Sequence, residues 1–103
     1  MTVDDKNITL ASGSANAAAA SGAGFTVDIG SGTNPAITYD GTNDEWDFNK
    51  NVNVTGAITS SSTIQGTAYL VGSTVIVNTN RDLTNIGTIS SGAITSSGNL
   101  HAG

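Results

Sequence analysis

The large apolar residues of this chain come only in pieces of three to six, set apart by Gly, Ser, Thr and Asn. In the second half these pieces are NVNV (51–54), AIT (57–59), TIQ (63–65), AYLV (68–71), TVIV (74–77), NIGTI (85–89) and AIT (93–95). Gly56, Gly66, Gly72, Gly87, Gly92 and Gly98 punctuate them. No stretch repeats apolar residues at the 3.6-residue period that a helix of useful length needs. The β-branched content therefore predicts an all-β chain whose strands are too short for a sandwich. The string GAITSS occurs twice, at 56–61 and 92–97, a suggestion of repetition without a fixed period.

Short strands bring a second constraint. Thr, Ser, Asn and Gly fill about half of the 103 positions, and only 26 residues are large and apolar. One copy has little with which to build a core, and a row of short strands leaves backbone N–H and C=O groups open on both edges. Three copies wound about one axis answer both problems. The expected architecture is an elongated homotrimeric fibre of short strands, a triangular, interwoven β-structure of the β-helix kind. Val54, Ile58, Ile64, Ile86, Ile89 and Ile94 are expected to line its axis, with Val52 or Val54 starting the shaft.

The first half reads differently. Asn7–Leu10 (NITL) is a short strand candidate. Residues 11–24 (ASGSANAAAASGAG) are a small-residue connector, with one helical turn at Ala17–Ala20 as the lesser reading, because helix nucleation is costly. FTVDI (25–29) alternates like a strand. AITYD (36–40) and DEWDFN (44–49) flank the turn dipeptide Asp40-Gly41 and predict a hairpin. Pairing would put Ile37 and Tyr39 against Trp46 and Phe48 in a small core. The domain reading is 1–24, strand and connector; 25–50, hairpin node; 51–103, repetitive shaft.

Charge and missing residues exclude several classes. The formal net charge is −5, and residues 51–80 carry none. No basic patch can neutralise phosphates, which argues against nucleic acid. No run of 18 apolar residues predicts membrane insertion, and no secretory signal opens the chain. With no Cys and a single histidine, His101, zinc ligands are lacking within one copy. Three His101 side chains on a trimer axis could meet a metal, but the simpler reading is a frayed terminus. Asp40, Asp44, Glu45 and Asp47 have the chemistry of calcium ligands without the spacing of an EF-hand loop. Asp40 and Asn43 read better as turn formers, and Asp47, alternating with Trp46 and Phe48, as a solvent-facing residue. The same four carboxylates could be drawn on for glycan cleavage, and His101 for a serine triad, yet nothing fixes a cleft. Neither lysine follows a phosphate-binding glycine loop. The reading is non-enzymatic, with no cofactor and no metal. The sequons at Asn7 and Asn53 are expected by chance in so Asn- and Thr-rich a chain.

Two segments carry a resemblance. NPAITYDGTNDEWDFNKNVNVTG (34–56) resembles a module of structural proteins in tailed phages, especially those of marine cyanobacteria. RDLTNIGTISSGAITSSGNL (81–100) is similar to the stretch preceding the C-terminal chaperone or tip region of many phage tail fibres. Together they cover about 43 residues. The resemblance implies a homotrimeric, non-enzymatic viral structural protein located in the virion tail, serving host attachment. It would space or connect a receptor-binding tip and the tail, with other virion tail proteins as partners and a host-surface glycan reached through a distal tip. No tip is recognisable before Gly103, so the chain reads as a fragment or a short fibre. The alternative is a glycan-binding adhesin module, in which Tyr39 and Trp46 form a sugar-stacking platform instead of a cross-strand pair. A monomeric ice-binding solenoid lacks support, since no regular Thr-x-Thr row is present.

Overall fold

The computed structural model describes residues 1–101. Its regular structure is mostly β, with five short strands in two small antiparallel sheets and one turn of helix. The chain divides into two units, Met1–Ile58 and Thr59–Gly103.

In the first unit, helix α1 (Ala17–Ala20) precedes strands β1 (Gly24–Thr26), β2 (Ala36–Asp40) and β3 (Glu45–Phe48), with β2 in the middle of the sheet. The helical turn forms because Asn16 caps it: its side-chain oxygen accepts the Ala19 N–H at 2.9 Å. A single turn makes too few internal hydrogen bonds to stand alone, and α1 rests against β2. Pairing of β1 with β2 runs beyond the strand limits: Tyr39 N–H donates to Ala23, Gly22 N–H to Tyr39 and Val27 N–H to Pro35. Between them, the loop is fixed by Asp28, which accepts the Gly30 N–H, and by Asn34, which accepts the Ile29 N–H.

The β2–β3 hairpin pairs Ile37 with Phe48, Thr38 with Asp47, Tyr39 with Trp46 and Asp40 with Glu45. Asp40 builds the turn, accepting from the N–H groups of Thr42 and Asn43 at 2.8 and 3.3 Å and from the Asn43 side chain at 2.7 Å. Asp44 completes it at φ 55°, a left-handed conformation that Asp and Asn tolerate better than most residues. At the other end Asn49 continues the ladder. Its N–H donates to Ala36, its side-chain oxygen accepts the Ala36 N–H, and its amide donates to Asn34.

In the second unit, β4 (Tyr69–Val71) and β5 (Thr74–Val77) form a hairpin closed through Gly72 at φ 61°, with a register shift between Tyr69 and Leu70. Asn78 then organises the next turn. Its side-chain oxygen accepts the N–H groups of Asn80 and Asp82 at 2.9 and 3.0 Å. The chain is turned back so that Leu83 bridges Val77 and Thr84 N–H donates to Ile76. Thr84 and Asn85 side chains both donate to the Val75 carbonyl.

Several expected strands do not pair within one copy. Residues 7–10, 51–54, 57–59, 63–65, 85–89 and 93–95 lie outside any strand, and β1 covers only Phe25 and Thr26 of FTVDI. The reason is physical: a strand needs a neighbour to hydrogen-bond, and apart from Val27, which pairs with Pro35, these stretches find none among the described residues.

No described residue is buried. Of the 26 large apolar residues, 21 are exposed. The other five are Ile37, Tyr39, Val75, Ile76 and Val77, all on the hairpin strands β2 and β5.

Candidate functional site

Strand alternation sorts the first sheet into two unlike faces. The registers Phe25–Ile37–Phe48 and Tyr39–Trp46 place five large apolar side chains on one face. The other carries Thr26, Thr38, Asp40, Glu45 and Asp47.

The apolar face is not a closed core. Phe25, Trp46 and Phe48 are 53%, 55% and 52% exposed. Tyr39 and Trp46 meet with ring centroids 6.1 Å apart and planes tilted by 60°, within the range of favourable edge-to-face pairs. The Tyr39 hydroxyl donates to Asp44 at 2.6 Å. That bond, followed by desolvation and the negative charges of Asp44 and Asp40, raises the phenol above its ordinary 10.0. Two open hollows adjoin the face. One, of about 640 Å³, lies among Val3, Ile8, Leu10, Phe25, Tyr39 and Trp46, with Asp5, Lys6 and Asn7 also on its wall. The second, of about 370 Å³, lies among Phe25, Val27, Pro35, Ile37, Phe48 and Val52, with Lys50 on its wall.

On the polar face, carboxylate oxygens of Asp40, Glu45 and Asp47 lie within 4.8 Å of one another. Asp44, the fourth acid considered with them, is instead engaged by Tyr39. Asp40 already accepts three hydrogen bonds in its turn. These hold its carboxyl below the ordinary 3.8, chiefly through the Thr42 N–H, then the Asn43 side chain and N–H. Glu45 and Asp47 are exposed, so the cluster is a solvated acidic face. His101 is also exposed.

The proposed axis residues Val54, Ile58, Ile64, Ile86, Ile89 and Ile94 are all exposed, as is Val52. Among the described residues, 51–67 and 86–101 make no backbone–backbone hydrogen bond. Local side-chain bonds occur there, such as Tyr69 Oη to the Ile64 carbonyl at 2.7 Å and Ser96 Oγ to the Gly98 carbonyl at 2.9 Å.

Two contributors escaped the sequence reading. Phe25 joins the apolar face only because β1 pairs with β2 across a nine-residue loop. Asn78 organises the turn after β5, and the run Asn-Thr-Asn-Arg-Asp (78–82) was a readable turn signal. No protein-family model, curated protein or solved structure matches this chain. No helix among the described residues is long and apolar enough to cross a membrane.

Proposed function

We propose that the chain is a structural segment of a phage tail appendage, assembled as an elongated homotrimer of interwoven short strands. Its role is mechanical: it spaces or connects a receptor-binding tip and the tail. Its partners are two further copies and neighbouring virion tail proteins. The observation that carries the reading is the bareness of a single copy. A chain that leaves 21 of its 26 large apolar residues exposed gains stability from association. The absence of backbone pairing in 51–67 and 86–101 supports pairing between copies in those stretches. The weak charge of 51–80 favours close approach of three identical chains. The resemblance of residues 34–56 and 81–100 to phage fibre modules supplies the biological setting.

The test is the absolute mass of the purified chain by light scattering on a sizing column. The reading expects the mass of three chains with an elongated hydrodynamic profile. A compact particle of one chain at every concentration would overturn it.

A further inference from the structure

We infer that the aromatic face of the first sheet is itself an interface, and that its occupant is a second copy of this chain. This rests on the trimer reading but moves beyond it, because the shaft accounts only for residues beyond Asn51. A hairpin node with a core of its own would need no partner, and this one has no such core.

The area points to a partner of protein size. An aromatic side chain carries about 150–250 Å², so the open halves of Phe25, Trp46 and Phe48 leave about 300–350 Å² uncovered. Val27 and Val52, 62% and 60% exposed beside the second hollow, add about 200 Å² by the same reasoning. The sum, about 500 Å², lies in the upper part of the range of about 300–600 Å² for the largest apolar patch on a typical monomer, a patch that is often functional. Interfaces are about 56–65% apolar, so a patch of about 500 Å² corresponds to a full partner face of about 800 Å².

The charge pattern selects another copy as that partner. The chain has a net charge of −5, and like-charged copies repel wherever their acids approach. The register sets Asp40, Glu45 and Asp47 on the opposite face of the sheet. Around the aromatic face the charges are mixed: Asp5 and Lys6 sit side by side, Lys50 lines the second hollow, and Asp44 accepts the Tyr39 hydroxyl. Two acids and two lysines leave this rim balanced, so copies can meet here with opposite charges in apposition while Asp40, Glu45 and Asp47 stay on the far face. The concavities beside Trp46 and beside Phe48 give protruding side chains of the neighbour a seat.

Trp46, the single tryptophan, reports on the face directly. The experiment follows acrylamide quenching and the emission maximum of Trp46 in the full chain across a dilution series, with mass measured in parallel by light scattering. The inference expects a blue-shifted, poorly quenched Trp46 in the assembly, which becomes red-shifted and quenchable as the particle dissociates. A three-chain particle with freely quenched Trp46 would overturn the inference and leave the trimer standing. A two-chain particle with shielded Trp46 would support the interface and overturn the trimer. A single-chain particle throughout would overturn both. Val27→Asp, outside the strands and outside the shaft segment, should raise the concentration for half-maximal shielding about tenfold or more. Unchanged shielding in that variant would equally refute the interface.

Discussion

Replacing Ile94 tests the shaft where its chemistry is simplest. Ile94 lies in no strand and is 61% exposed in one copy. Full burial of a large aliphatic side chain is worth roughly 1.5–3 kcal/mol. Covering the exposed three fifths therefore contributes about 1–2 kcal/mol per chain, or about 3–5 kcal/mol per trimer. Ile94→Ala removes most of that, about 2–4 kcal/mol, and should weaken trimerisation roughly 30- to 700-fold. Ile94→Asp goes further, because it sets three carboxylates together in an apolar environment. Desolvation and mutual repulsion would raise their pKa values, so assembly should fail near neutral pH and partly return as the medium is acidified. The assay is sedimentation equilibrium across concentration and pH, with circular dichroism to confirm that both hairpins persist. An Ile94→Asp chain that assembles like the parent at neutral pH would refute the axis assignment and the burial argument behind it.

Other substitutions probe the first unit. A Cβ added at Gly41 would overlap the Ala17 carbonyl oxygen and lie 2.6 Å from its carbon; Gly41→Ala should cost about 1–3 kcal/mol in thermal unfolding, since backbone cannot rotate away. Gly24→Ala should be similarly destabilising, because its Cβ would overlap the Ile37 carbonyl. The raised Tyr39 phenol gives the turn a contribution fully present below pH 10.0 and lost as pH rises through the elevated folded value; Asp44→Asn should move that ionisation back toward 10.0 in an ultraviolet titration. The lowered Asp40 carboxyl does the reverse: its contribution is complete above pH 3.8 and lost as pH falls through the depressed folded value. The Thr42 amide resonance should therefore shift with a midpoint below 3.8, and Asp40→Asn should abolish that transition.

What could be read from the residues follows how local each interaction is. The β2–β3 hairpin was legible because Asp40-Gly41 and the alternation of Ile37, Tyr39, Trp46 and Phe48 lie within a dozen positions. The TVIV strand was legible for the same reason, with Gly72 at the turn. Phe25 was not assigned to the aromatic face, since its place depends on β1 closing a loop from Val27 to Pro35, and short-range periodicity does not specify that. The helical turn at Ala17–Ala20 was the lesser reading because propensity alone cannot weigh the Asn16 cap against nucleation. The opposite failure occurred in the shaft segments. Their β-branched residues carry a strand preference that a lone chain does not realise, since Ile58, Ile64 and Ile94 lie outside any strand. Sequence preference and single-copy structure diverge there because the missing partner is intermolecular in this account.

Hydrogen exchange of the backbone amides in 51–67 and 86–101 is the most direct test of that account. Among the described residues one copy offers these amides no backbone acceptor, and only Ser62 and Gly98 find a side-chain one, each a serine two residues away, so strong protection along these stretches points to other copies. The account predicts slow exchange around Val54, Ile58, Ile64, Ile89 and Ile94 at high concentration, lost on dilution below the assembly threshold. Exchange at unprotected rates across both stretches in the most concentrated sample would contradict it.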